Sequence, residues 1–270
     1  MKIGENKFMP ELPDVEVFKR YLDSTSLHKT IKKVEVKDKK ILEKTTAKKI
    51  KSKIEGKKFN DSKRHGKYLF INLEKKLSLM LHFGMTGFLK YFKNMDDESG
   101  HSRILFTFDN GYYLSYDCQR LLGKVRLIEN ISDIIKEKNL GPDALSIDIH
   151  FFKDIFENKR GGIKSALMNQ KNIAGIGNIY SDEILFQTGI HPKAKVNNFD
   201  EILIKELYTK MKNVLNTAIE KNANPDNFPK NFVIPQRKKD GKCPIDGVAL
   251  KKIRVNGRET YFCPKHQEKL

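Results

Sequence analysis

Met9-Pro10-Glu11-Leu12-Pro13-Asp14-Val15-Glu16 is the stretch on which the reading of this chain turns. A proline stands directly behind a methionine, and a carboxylate directly behind the proline. Removal of Met9 would expose a secondary amine. An N-terminal amine has an unperturbed pKa of about 7.7–8.0, so it is partly neutral and nucleophilic near neutral pH. A proline amine that attacks a sugar C1′ gives an iminium ion, which is an electron sink for elimination chemistry. As the chain is written, eight residues precede Met9, and in that form the Pro10 nitrogen is an amide with no lone pair to offer. A plainer reading also stands. Pro13 at a first-turn position, acidic residues behind it and an apolar pattern through Val15, Phe18 and Leu22 describe the lead into a helix, roughly residues 12–23.

Downstream of that helix the chain alternates apolar and polar residues in short runs. Ile31–Val36, Tyr68–Leu73, Leu77–His82, Gly87–Phe92, Arg103–Phe108, Tyr112–Tyr116 and Lys124–Ile128 read as strands, with turns such as Asp109-Asn110-Gly111 between them. Their spacing predicts an antiparallel sandwich or barrel ending near residue 135. The Lys-rich stretch Lys48–Lys63 reads as a solvated face. From Gly141-Pro142 the pattern changes to helices over Ile149–Asn158, Gly162–Asn169, Asn178–Gln187 and Phe199–Asn222. A Pro- and Asn-rich segment, Asn222–Pro235, leads to a terminal unit of about 35 residues, too small to bury a core without a staple such as a metal. The expected class is α+β. The expected parts are an N-terminal extension over 1–8, a helix-plus-sandwich domain over 9–135, a helical domain over 136–231 and a finger over 232–270.

The 270 residues carry 52 Lys and Arg against 34 Asp and Glu, a net charge of +18, which favours a polyanionic partner such as nucleic acid. A Lys-rich background is the competing explanation, because only nine of the basic residues are Arg; an Arg at a motif position, such as Arg120 or Arg258, therefore carries more information. No apolar run approaches the roughly 18 residues of a membrane span, and no signal-peptide core is present, so a soluble intracellular protein is expected. Three cysteines exclude a disulfide framework. Cys118 reads as a buried or semi-buried free thiol.

Cys243-Pro-Ile-Asp246, sixteen residues, then Cys263-Pro-Lys-His266 has the spacing of a hairpin zinc ribbon with two unusual ligands. All four side chains are acceptable zinc ligands, although a carboxylate is a harder donor than a thiolate; an ordinary Asp-Gly turn without metal is the alternative. Between the knuckles, 251–258 reads as a basic hairpin with Asn256-Gly257 at its tip, suited to placing Arg258 between phosphates. Gly175-Ile-Gly177-Asn178 before a helix presents backbone N–H groups that suit an anion, and Asn178 adds an amide. Lys67 and His82, at strand edges, suit phosphate contact. Met85, in a Gly-flanked turn, suits insertion into a base stack, against plain exposure for Lys67 and core packing for Met85.

In this order the motifs resemble the formamidopyrimidine-DNA glycosylase and endonuclease VIII family over residues 9–270, closer to the formamidopyrimidine branch, whose start reads Pro-Glu-Leu-Pro-Glu-Val-Glu. The resemblance implies a helix and β-sandwich domain, a helix-two-turn-helix domain and a zinc-ribbon finger, acting as a monomer on double-stranded DNA that contains a damaged base or abasic site. It implies that Pro10 is the nucleophile and Glu11 the acid that assists ring opening, while Lys67 contacts lesion phosphates and assists catalysis. His82, Asn178 and Arg258 would hold phosphates. Glu183 would help position the N-terminus. Met85, Arg120 and Leu122 would fill the void left by the extruded nucleotide, and Cys243, Asp246, Cys263 and His266 would hold one zinc ion. Activity would be base excision followed by β,δ-elimination, with a catalytically silent damage-binding protein as the alternative if Pro10 stays blocked. Four departures stand out. Asp14 replaces a Glu, Leu122 replaces a Phe, Asn169 replaces an Asp, and Asn222–Pro235 lacks the Gly- and Thr-rich loop that caps 8-oxoguanine.

Overall fold

The computed structural model describes residues 9–157 and 161–267; the stretch Met1–Phe8, read above as an extension, lies outside the described residues, as does Asn158 at the expected end of one helix. The described chain forms two compact units, one made of 9–10 and Asp14–Lys138, the other of Glu11–Pro13 and 139–267.

In chain order the first unit holds most of α1 (Leu12–Ser26), then β1 (Ile31–Val36), α2 (Ala47–Ile54), β2 (Asp61–His65), β3 (Tyr68–Glu74), β4 (Leu77–His82), β5 (Gly87–Phe92), β6 (Ser102–Phe108), β7 (Tyr113–Cys118), β8 (Lys124–Ile128) and α3 (Ile131–Glu137). Pro13 fits the first turn of α1 because the N–H it lacks would have no intrahelical acceptor there. Two four-stranded antiparallel sheets, ordered β1-β6-β7-β5 and β2-β3-β4-β8, share one core. Alternation sends Leu69, Ile71 and Leu73 of β3 inward to meet Ile104, Phe106 and Phe108 of β6, and Val15, Phe18 and Leu22 of α1 join them. The intervening Phe70 faces the other way and packs with Met80, Ile128 and Ile134 beneath α3.

The stretch Lys48–Lys63 departs from the expected solvated face. Thr46 caps α2 by accepting a hydrogen bond from Lys49 N at 3.1 Å, and Ile50 and Ile54, four residues apart, bury one stripe while the lysines keep the other wet. β2 follows as an edge strand whose polar residues give no alternating apolar signal.

The second unit holds α4 (Ile149–Glu157), α5 (Ile163–Met168), α6 (Asn178–Gln187), α7 (Glu201–Glu220) and the hairpin of β9 (Lys251–Val255) and β10 (Arg258–Phe262). Asp200 caps α7 by accepting from Leu203 N at 2.8 Å, and Ile204, Leu207, Met211, Val214 and Ala218 give its buried stripe. α6 is central, with every residue from Ile179 to Phe186 buried. The segment after α7 is packed, burying Phe228, Phe232, Val233 and Ile234. Mixed helices and antiparallel sheets give the α+β class expected from the sequence. Among the described residues no helix is long and apolar enough to cross a membrane.

Candidate functional site

In the second unit, the N-terminus of α6 is built around Glu11. Its Oε2 accepts from Gly177 N at 2.6 Å and Tyr180 N at 3.3 Å, and its Oε1 accepts from Ile179 N at 2.9 Å. Helix N-termini leave such donors without intrahelical partners and carry a partial positive charge, so a fully buried carboxylate is stabilised there. Leu12 N donates to Gly175 O at 3.1 Å. Gly175 has φ +116°, and a Cβ there would lie 2.5 Å from Leu12 Cδ1, so only glycine allows this approach. The backbone donors that the sequence suggests for an external anion are therefore occupied by the chain's own carboxylate. Pro10, next to Glu11 in the chain, is buried.

Asn178 opens α6, and its amide is engaged at both ends. Oδ1 accepts from Lys164 Nζ at 2.8 Å, and Nδ2 donates to Glu259 O at 2.9 Å, leaving Nδ2 one further hydrogen. Lys164 is a residue that the sequence reading missed. It is fully buried on α5, 2.5 Å from Asp182 Oδ1 and 2.6 Å from Thr260 Oγ1. Burial pulls its pKa down, and the Asp182 charge opposes that shift. The other Asp182 oxygen takes Arg237 Nη2 at 2.7 Å and Tyr261 N at 3.2 Å. A satisfied buried ion network thus joins α5, α6, Arg237 near the start of the finger and β10. The available signal was Ser181-Asp182-Glu183, three polar residues inside a helix too short to waste a face.

The hairpin tip has the left-handed conformation that the sequence predicts, with φ +49° at Asn256 and +72° at Gly257. The Asn256 amide donates to Ser165 Oγ on α5, and Arg258 follows the turn with its side chain exposed. Glu183, which the resemblance assigns to positioning the N-terminus, is fully buried on α6. It accepts from Ile234 N at 2.8 Å and Gln187 Nε2 at 2.8 Å, and burial pushes its pKa up to about 7.

Cys243, Asp246 and Cys263 form a group whose ligand atoms lie within 4.8 Å of one another and can hold a metal ion. Both thiols are buried against Phe186 and Val233. His266 stands outside this group. Its Nε2 is 2.8 Å from the Phe186 carbonyl oxygen, the bond through which metal-binding imidazoles commonly fix their other nitrogen toward the metal.

In the first unit, Lys67 lies in the β2–β3 turn behind Gly66, which has φ +55°. Arg64, also missed, braces that turn by donating from Nη1 to Gly66 O at 3.1 Å and from Nε to Glu16 Oε2 at 2.8 Å. His82 ends β4, its ring 4.8 Å from that of Tyr68, and Gly84 N donates to its Nδ1 at 3.3 Å, leaving Nε2 as the N–H. Burial first, then the charges of Lys67 and Lys138, push His82 down to about 4, so it is a neutral donor at physiological pH. Met85 is half-buried, Arg120 exposed, and Leu122 is 48% exposed, unusual for a large apolar residue. Cys118 is a buried free thiol, as expected.

The chain matches the family model of the formamidopyrimidine-DNA glycosylase N-terminal domain over residues 9–125 and that of the formamidopyrimidine-DNA glycosylase H2TH domain over residues 140–228. The formamidopyrimidine-DNA glycosylase of Wolbachia pipientis subsp. Culex pipiens (strain wPip) is 32% identical over 268 residues, covering 94% of this chain and 98% of that protein. That of Bacillus subtilis (strain 168) is 30% identical over 279 residues, covering 97% and 100%. Among solved structures, a complex of the LlFpg protein with a THF-DNA and an inhibitor superposes with a TM-score of 0.87 at 28% identity, covering 96% of this chain and 100% of that one. Lactococcus lactis Fpg bound non-covalently to an AP-site-containing DNA gives 0.86 at 28% identity with the same coverage.

Proposed function

Because this chain belongs to the formamidopyrimidine-DNA glycosylase family of DNA-repair enzymes, we propose that it is a bifunctional DNA glycosylase and AP lyase whose working polypeptide begins at Pro10. Its substrate is double-stranded DNA carrying an oxidised base or an abasic site. The observation that carries this reading is the seat of Glu11, whose carboxylate is fixed by three backbone N–H groups immediately after Pro10 in the chain.

The Pro10 lone pair forms a bond to C1′ as the bond from C1′ to the base breaks, and the base leaves with a proton. The C1′–O4′ bond yields to give an open-chain iminium, O4′ taking its proton with the help of Glu11. The iminium acidifies C2′–H, and loss of that proton expels the 3′ phosphate. A second elimination expels the 5′ phosphate, and water releases Pro10. Lys67, neutral His82, Asn178 and Arg258 hold phosphates around the lesion. Met85, Arg120 and Leu122 fill the void of the extruded nucleotide, offsetting a few kcal/mol of lost stacking and pairing.

Residues 9–135 form the catalytic part, 136–231 the DNA-binding helices and 232–270 the finger. Two buried thiols, a carboxylate beside them and an imidazole already braced at Nε2 suit one structural zinc ion, held by Cys243, Asp246, Cys263 and His266. The ion would fasten the finger and take no part at the lesion. The segment 222–235 lacks the Gly- and Thr-rich loop that caps 8-oxoguanine, so a strong preference for that base is not part of this reading.

The test is borohydride trapping on abasic-site DNA with protein expressed from Met9 and checked by mass for a free Pro10. A covalent protein–DNA adduct is expected, and Pro10→Gly should abolish it while binding persists. One observation favours a second reading. With Met9 attached, the Pro10 nitrogen is an amide. If the mature protein keeps that bond and binds abasic DNA without an adduct, it is a silent damage-binding relative.

A further inference from the structure

We propose that Tyr116 is the positioning residue of the void-filling tip, locking the loop that carries Met85 to the loop that carries Arg120 and Leu122, and both to the strand end that carries His82. The inference rests on the roles proposed above for those four residues.

Tyr116 lies on β7, fully buried, and reaches across the core to the other sheet, where its Oη donates to His82 O at the end of β4 at 2.8 Å. The same hydroxyl fills the notch of a missing side chain in the Arg120–Leu122 loop, since a Cβ at Gly123 would lie 1.8 Å from Tyr116 Oη. The backbones of the two loops also touch. A Cβ at Gly84, which has φ +61°, would lie 2.5 Å from Leu122 C and 2.6 Å from Gly123 N. Arg120 N donates to Thr86 Oγ1 at 3.1 Å, and Gly123 N to Cys118 Sγ at 3.4 Å. Leu121, at φ +55°, packs against the core, and Leu122 beside it stands out to solvent.

A wedge offsets the stacking that it disrupts only to the extent that its own ordering is complete before it meets the DNA. Here the phenol oxygen is the shared peg. It fixes the carbonyl of His82, whose ring is held by Gly84 N, and it limits how far the Leu122 loop can close. The tip that fills the void and the imidazole that holds the phosphate therefore move as one body.

The experiment compares parent, Tyr116→Phe, Gly123→Ala and the double variant, all expressed from Met9. Base extrusion is followed by fluorescence of 2-aminopurine beside a paired lesion, alongside single-turnover base excision and cleavage at a preformed abasic site. Loss of one buried hydrogen bond predicts extrusion and excision slower by roughly tenfold in Tyr116→Phe. Abasic-site cleavage, which needs no base removal, should slow less than excision does, by no more than the share that the His82 phosphate contact contributes. Gly123→Ala should also slow extrusion, and its effect should shrink in the Tyr116→Phe background, where the clashing oxygen is gone. Unchanged extrusion, equal losses on both substrates, or strictly additive effects in the double variant would overturn the assignment. The fluorescence arm needs binding only, so a parent that extrudes without cutting would count against the lyase while still deciding the role of Tyr116.

Discussion

Glu11 Oε2 lies 2.6 Å from Gly177 N, so the residue that follows the candidate nucleophile is also the cap of the central helix of the second unit. One carboxylate would then serve both the proposed chemistry of the N-terminus and the stability of α6. Glu11→Gln would turn an NH₂ group toward donors that need an acceptor, at a cost of about 2–3 kcal/mol. The expected outcome is a melting temperature lowered by several degrees, excision strongly reduced and DNA affinity nearly unchanged, checked by thermal denaturation, single-turnover kinetics and equilibrium binding. Affinity falling in step with rate would remove Glu11 from the chemistry.

Two groups shifted by desolvation, the half-buried His82 and the buried Glu183, give stability opposite dependences on pH. His82 is pushed from 6.5 to about 4, so between those values the unfolded chain binds the proton that the folded one refuses, and stability falls as pH falls. Glu183 is pushed from 4.5 to about 7, so the folded chain holds the extra proton, and stability is lost as pH rises through that window. Each contribution is about 3–3.5 kcal/mol at most. Urea denaturation from pH 4.5 to 7 should show the two nearly offsetting in the parent chain. Glu183→Gln should expose a loss on acidification, and His82→Gln a gain. Parallel pH profiles for all three proteins would exclude both assignments.

Lys67 and Arg258 are proposed to meet phosphates, which makes a prediction about salt rather than affinity alone. Each of Lys67→Ala and Arg258→Ala should reduce the slope of log K against log salt by about 0.9 for the lost contact. Titrations at three or more ionic strengths decide this, and an unaltered slope would move the residue off the DNA.

Zinc should bind with a stoichiometry of one per chain, measurable by native mass spectrometry. Cys243→Ser or Cys263→Ser should release it. Asp246→Ala should weaken retention against a chelator less than loss of either thiolate does, because the carboxylate is the harder donor. Retention by both serine variants would place any metal elsewhere.

Much of the first unit was legible because strand alternation and helix periodicity are local. Ile31–Val36, Leu77–His82, Gly87–Phe92 and Lys124–Ile128 are strands with the expected bounds. Asn256-Gly257 forms the expected turn, since two adjacent positive φ angles are a local steric demand that those residue types meet. β2 and α2 were not legible as such. β2 owes its form to hydrogen bonds with β3 and not to an apolar face of its own, and α2 shows only two buried residues among lysines.

The order of motifs, the Pro10-Glu11 pair, the identity of the wedge candidates and the knuckle spacing were determined by the sequence alone, because each rests on residue type and local separation. Tertiary structure alone decided who partners whom. It turned the helix N-terminus from an open anion site into the seat of Glu11, buried Lys164 against Asp182, sent Glu183 to Ile234, and set the Tyr116 hydroxyl into the notch at Gly123. Glu11 and Gly177 lie 166 positions apart in the chain, and Glu183 and Ile234 lie 51 apart. Distances of that kind arise when packing closes the chain on itself, and no local pattern records them.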